Sequence, residues 1–185
     1  MTQTDHKRQE APRPLESVRQ FVNSVDREGG KEALSDPAAL AGWLAEHDLI
    51  DRDAPATEPD LRHALAVREA LRALLLANNG GERDPQAVAT LREAARRARV
   101  ALDFGDDGSH LEPHAGGVDG ALGRMLSLVH EAMHDGTWAR LKACPWHTCN
   151  WAFYDHTKNR SGVWCTMEVC GNRAKAKAYR ERRAR

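Results

Sequence analysis

Four cysteines, all within the last 42 residues, restrict this chain more than any other feature. They stand as Cys144-x4-Cys149 and Cys165-x4-Cys170, with fifteen residues between the two pairs. Two short pairs a hairpin's length apart suit tetrahedral thiolate coordination of one structural zinc ion per chain, each pair supplying two ligands from a tight turn. Disulfide pairing is the rival, and it needs an oxidising compartment. The opening Met1-Thr2-Gln3-Thr4-Asp5-His6-Lys7-Arg8 has no apolar core of an export signal, so a cytoplasmic location with reduced, metal-bound thiols is expected. His147 and His156 could each replace a thiolate, but with four cysteines available both are expected to be ordinary surface residues.

The spacing predicts a small treble-clef-like finger. Cys144-Pro145-Trp146-His147-Thr148-Cys149 reads as a zinc knuckle and Trp151-Ala152-Phe153-Tyr154 as a short aromatic strand. Asn159-Arg160-Ser161-Gly162 supplies turn chemistry, and Val163-Trp164-Cys165 returns toward the metal. Cys170 is expected at the mouth of a helix, with Gly171 and Asn172 forming the turn and the N-cap. A helix N-terminus there would stabilise a bound thiolate through its free N–H groups. Some 45 residues hold too little core to fold alone, so the metal would contribute on the order of 10 kcal/mol to folding.

The rest of the chain has a soluble, globular composition, and no apolar run approaches a membrane span. The zero net charge hides an asymmetry. Residues 138–185 carry eleven Lys/Arg against three Asp/Glu, whereas residues 1–137 carry sixteen against twenty-four. A basic end on an acidic body suggests an anionic partner, most simply nucleic acid. The alternatives are a solvated basic tail and a tail folded back on its own acidic domain. If residues 172–184 are helical, Arg173, Lys177 and Arg180 form one cationic stripe, with Lys175 a further candidate DNA contact on the same helix and Arg160 adding one from the turn between the cysteine pairs. Only Tyr179 offers sizeable apolar surface there, which suits a phosphate backbone better than a membrane or an apolar groove.

Ahead of the finger the expected class is α+β and mainly helical. Residues 1–14 read as a disordered tail, 15–137 as a helical domain with a β-hairpin, and 138–185 as the finger with its basic helix. Leu15, Val18, Phe21, Val22 and Val25 lie on one helical stripe in the stretch Leu15 to Glu28. Asp36-Pro37 opens a second helix and Thr57 with Asp60 a capping box for a long one ending near Asn78. Asp84-Pro85 starts a helix reaching about Arg97, and a last one runs from about Asp119 to His134. Between these two, Val100, Leu102 and Phe104 alternate, Gly105-Asp106-Asp107-Gly108 turns and His110-Leu111-Glu112 returns, a β-hairpin. Arg68 and Arg72 fall on the apolar arc of the long helix marked by Leu61, Leu65 and Leu75. A guanidinium there needs a partner: an internal carboxylate, or a small anionic effector in a pocket that would make this domain a sensor.

These residues carry a family resemblance. Trp138-Ala-Arg-Leu-Lys-Ala-Cys144, Cys149-Asn-Trp151-Ala-Phe153-Tyr154-Asp155, Asn159-Arg160-Ser161, Trp164-Cys165 and Cys170-Gly-Asn-Arg-Ala-Lys175 resemble the CGNR zinc finger. Phe21-Val-Asn23, Ala41-Gly-Trp43-Leu44 and Arg68-Glu-Ala-Leu-Arg72 are similar to the ABATE domain that usually precedes it. Proteins of this kind are bacterial and are described as stress-induced transcription regulators. The resemblance covers about residues 15–182 and implies a zinc-stabilised DNA-binding end behind a sensor domain.

One motif points elsewhere. His130-Glu131-Ala132-Met133-His134 satisfies H-E-x-x-H, which on a helix sets two imidazoles one turn apart beside a glutamate. The third ligand of the longer pattern does not follow, since Arg140 holds the later slot, and a chance match on a polar helix face is expected. The sequence offers no nucleophile–base pair, phosphate-binding glycine loop or well-spaced carboxylate pair. The leading expectation is therefore a DNA-binding regulator, possible as a homodimer. The alternative is an enzyme or small-molecule-binding protein whose finger is purely structural or contacts another protein.

Overall fold

The computed structural model describes residues 10–106 and 108–184. The fold is α+β and mainly helical. Six α-helices are described: α1 Leu15–Val22, α2 Pro37–Glu46, α3 Glu58–Asn78, α4 Pro85–Arg97, α5 Gly117–His134 and α6 Asn172–Arg183. Three antiparallel two-stranded ribbons join them: β1 Val25–Asp26 with β2 Lys31–Glu32, β3 Val100–Gly105 with β4 Gly108–Pro113, and β5 Leu141–Ala143 with β6 Ala152–Tyr154.

The helix starts follow the sequence chemistry. The Asp36 carboxylate accepts the Ala39 N–H at 2.8 Å, Thr57 and Asp60 close a reciprocal capping box, and Asp84 accepts from Gln86. Each satisfies donors that a helix's first turn leaves open. Helix α3 is the central pillar. Its Leu61, Ala64, Val67, Leu71 and Leu75 are buried against Phe21 of α1, Leu40 and Leu44 of α2, and Leu122 and Met125 of α5. At the base of the β3–β4 hairpin, a side chain at Gly123 would put its Cβ 2.6 Å from Ala98 Cβ and 2.7 Å from Pro113 Cβ. Glycine there lets hairpin and helix close up.

One expectation needs correcting. The stripe from Leu15 to Glu28 is not one helix: α1 stops at Val22 and the chain turns into the β1–β2 ribbon. Asp26 accepts the N–H groups of Glu28 and Gly29, and Gly30 sits at φ +66°. This local turn competes successfully with continued helix. Of the tail expected over residues 1–14, residues 1–9 lie outside the described residues. Residues 10–14 are engaged: Ala11 is buried, its N–H donates to Glu16, and the Glu10 carbonyl lies 2.8 Å from His156 Nε2.

The two arginines on the apolar arc of α3 are buried, and both are hydrogen-bonded within the chain. Arg68 makes a fork to Glu32 at 2.7 and 2.8 Å and also donates to Ser24 and Glu69. Arg72 donates to Glu69 and to the backbone carbonyls of Val22 and Asn150. Burial pushes the Arg72 guanidinium down and the Glu69 carboxylate beside it pushes it back up. Internal carboxylates, a hydroxyl and backbone carbonyls therefore partner both guanidinia within the chain. Arg72→Met should leave two buried carbonyls without a donor and cost about 3 kcal/mol, read as a lowered denaturant midpoint at unchanged slope.

Candidate metal centre and basic helix

The finger is built on ribbons too short to satisfy their own backbones. Strands β5 and β6 pair over three residues, and side chains of the helical region complete them. Asn23 clamps Ala152 from both sides, donating to its carbonyl at 2.9 Å and accepting its N–H at 2.8 Å. Asn78 donates to the carbonyls of Trp138 and Leu141, and Asn79 to those of Ala143 and Val163. Leu141, Ala143, Ala152 and Tyr154 are buried in the same apolar core as α3 and α5. A second, small cluster of Cys144, Phe153 and Cys170, flanked by Trp146 and Trp164, lies around the thiols.

The four cysteine sulfurs all lie within 4.8 Å of one another, with Cys149 3.6 Å from Cys165 and Cys165 3.7 Å from Cys170. Cys144 and Cys170 are buried; Cys149 and Cys165 are half-buried. The thiols of Cys149 and Cys165, together with backbone N–H groups of Cys165 and Trp146, stabilise a thiolate at Cys144 and pull its pKa down. That same contact pushes Cys149 and Cys165 up, and burial pushes Cys170 up. One thiolate thus makes the next harder to form, a conflict that a dication at the centre removes. Four protein sulfurs fill a tetrahedral shell and leave no position for water, the mark of a structural zinc site and not a catalytic one.

Cys170 reaches this cluster differently from expectation. The helical run begins at Met167, as one π-type turn over Met167–Gly171, and passes without a break into α6. Asn172 is not its N-cap; the extended residue before the run is Thr166, and Asn172 donates instead to the Glu168 carbonyl. A Cβ at Gly171 would stand 2.7 Å from the Met167 side chain and 3.4 Å from Trp164. Arg173 pairs with Glu28 across to the β1–β2 turn. The Cys-Gly-Asn-Arg run therefore supplies, in order, a ligand, a close approach, a backbone tie and a link to the helical domain.

The family models match in the same order along the chain. The ABATE model, described as "Putative stress-induced transcription regulator", matches residues 17–137, and the CGNR zinc finger model matches residues 140–183. The chain belongs to the ABATE family and carries a CGNR zinc finger. No curated protein matches it in sequence. In this ABATE protein Cys144, Cys149, Cys165 and Cys170 make one structural zinc site per chain.

The remaining predicted positions are distributed as follows. Lys175, Lys177 and Arg180 are exposed on α6, where Lys177 is 4.0 Å from Glu181. Arg160 is exposed in a left-handed backbone conformation, φ 54°. His130, Glu131 and His134 are exposed, and the two imidazole rings are 4.5 Å apart. Among the described residues only the cysteines gather three or more potential metal ligands. No helix among them is long and apolar enough to cross a membrane.

Sequence reasoning passed over one pair in the finger. Lys142, buried on β5, donates to Asp155 at 2.7 Å and to the carbonyls of Arg160 and Gly162. Asp155 also accepts the N–H groups of Thr157 and Gly162. Its burial pushes the carboxyl up, but these donors outweigh it and hold it at about 2. The pair fixes the loop that carries Arg160 toward Cys165. An Asp in the Tyr-Asp dipeptide after a strand was the only signal for it.

Two outcomes follow. Freshly prepared reduced protein should carry one zinc per chain by elemental analysis, and Cys170→Ser should lose it together with the order of α6. Lys142→Met should cost about 3–5 kcal/mol by stranding the Asp155 charge. Because the folded pKa of Asp155 lies below its ordinary value of 3.8, the stabilisation is complete above that value and fades as pH falls toward 2. In a urea titration at fixed zinc, the Lys142→Met penalty should therefore be full near neutral pH and shrink progressively as the pH falls from roughly 5–6 toward 2, because the stranded Asp155 of the variant takes up its proton first.

Proposed function

We propose that this ABATE protein is a DNA-binding transcription regulator that lays α6 along the phosphate backbone. The observation that carries this reading is the state of the basic residues. Residues 172–184 hold six Lys/Arg and one glutamate, no residue of the helix is buried, and among the described residues Lys175, Arg180, Arg182 and Arg183 form no ion pair. A solvated cationic helix fixed at its base by a zinc site is a rigid phosphate-contacting element. Arg160, from the loop held by Lys142 and Asp155, adds a further cation on the finger.

Glu28 competes with DNA in this scheme. It holds Arg173 and also accepts from the Thr148 hydroxyl, so Arg173 reaches a phosphate only by leaving it. Ligand responsiveness falls on a cleft of about 570 Å³ between the helical domain and the finger. Trp43, stacked on His47 at 3.7 Å, lines it from one side and Trp151 from the other. A second reading, contact of the finger with another protein, is supported by Val163, Met167 and Val169, which are exposed beside the zinc site.

Binding to duplex DNA should weaken uniformly across sequences when Arg173, Lys177 and Arg180 are changed together to alanine. The slope of log K against log salt should flatten by about 2–3, since each neutralised phosphate contributes about 0.9. Glu28→Gln should raise affinity, because it releases Arg173. An unchanged slope in the triple variant would remove the helix from the interface and leave the protein-contact reading in its place.

A further inference from the structure

The β3–β4 hairpin has an apolar face that its own chain covers only at the base. The register sets Val100 opposite Pro113, Leu102 opposite Leu111 and Phe104 opposite Ser109, so these six residues share one face. Pro113 is buried and Val100 and Leu111 half-buried, but toward the tip Leu102 is 57% and Phe104 77% exposed. Six residues per strand carry that tip roughly 20 Å from the base. A phenylalanine this exposed at the end of a projecting arm, in line with a second bare aliphatic side chain, marks a contact surface more than a solvent face.

The base of the same face opens into a groove of about 290 Å³ between α4 and α5, walled by Val100 and Leu111 and floored by Val88, Leu91, Leu126 and Val129. Met133 at its edge is 48% exposed. The charges of the two surfaces are opposite. Arg83, Arg92 and His130 line the groove, whereas Asp106 is exposed in the turn at the tip of the hairpin, two residues from Phe104.

We propose that this surface joins two copies of the chain, the hairpin of each lying in the groove of the other about a twofold axis. An acidic, apolar arm and a basic, apolar groove on one chain are complementary to each other, and a single arm cannot fill the groove at its own root with its own tip. Reciprocal exchange satisfies both surfaces of both copies and closes the assembly at two. It also doubles every contact, which lets a small arm contribute to the roughly 800 Å² per partner of a standard interface. Competing occupants fit less well. The acidic tip repels DNA and anionic lipid, and residues 1–9, Met1 aside, contain no apolar side chain to fill the groove. The proposal is independent of whether α6 binds DNA.

Analytical ultracentrifugation of the zinc-loaded chain tests it with three sets of surface substitutions, each checked for an unchanged melting temperature. Wild type at tens of micromolar should sediment at twice the 20.5 kDa chain mass. Phe104→Ser should be monomeric. The arm variant Asp106→Arg and the groove variant Arg83→Glu/Arg92→Glu should each be monomeric alone, because like charges then meet twice. Mixed one to one they should dimerise again, since one arm–groove contact is native and the other has both signs reversed. A monomeric wild type, a dimer that survives Phe104→Ser, or an arm–groove mixture that stays monomeric would each overturn the proposal.

Discussion

A ribbon of two three-residue strands cannot saturate its own backbone, and the rest of this structure is arranged around that shortfall. Every polar group of β5 and β6 removed from water must find a partner or cost roughly 1–3 kcal/mol. The helical region supplies those partners as side-chain amides and one guanidinium: Asn23 on Ala152, Asn78 and Asn79 on the carbonyls of the finger's entry strand and loop, and Arg72 on Asn150. Zinc does the complementary work on the far side. It holds the knuckle, the return loop and the start of α6 at one point, where four thiols could not all ionise without a cation. Neither half of the finger's stabilisation replaces the other.

This arrangement explains which parts could be read from the sequence. Local chemistry was legible because it depends on neighbours in the chain: the caps at Asp36, Thr57 and Asp84, the β3–β4 hairpin, and the cysteine spacing all hold. What failed depended on partners far away. The apolar stripe through Val25 favours continued helix, yet α1 ends at Val22 and the next residue, Asn23, spends its amide on Ala152, 129 positions later. Arg68 and Arg72 were legible as charges needing partners, but not which partners, because Glu32 comes from a ribbon the sequence did not announce. The helical run containing Cys170 was misplaced by four or five residues, since a π-type turn at a ligand has no sequence signature of its own. Lys142 and Asp155 look like ordinary alternating strand residues until the fold brings the 155–162 loop back over β5.

The same architecture bears on function. Family membership supplies a regulator role, and the structure places a solvated cationic helix on a zinc site that is itself bolted to the helical domain. Asn23 at the end of α1 and Arg72 on α3 are hydrogen-bonded to Ala152 and Asn150, and Asn150 adjoins the ligand Cys149 and donates to the carbonyl of the ligand Cys144. The Trp43–Trp151 cleft sits across that junction, with one indole from each side. A bound molecule there would bear on both halves through direct contact, without a long relay.

The central claim is that finger and helical domain form one cooperative unit, and native-state hydrogen exchange on the zinc-loaded protein tests it most directly. If the account is right, the amide of Ala152, held by Asn23, exchanges only through global unfolding, with the same opening free energy as core amides of α3 such as Leu71. Removal of zinc should then lower the protection of both amides together. Rapid exchange at Ala152 by local opening, while Leu71 keeps its full protection, would contradict it and make the finger a separate module tethered to the domain.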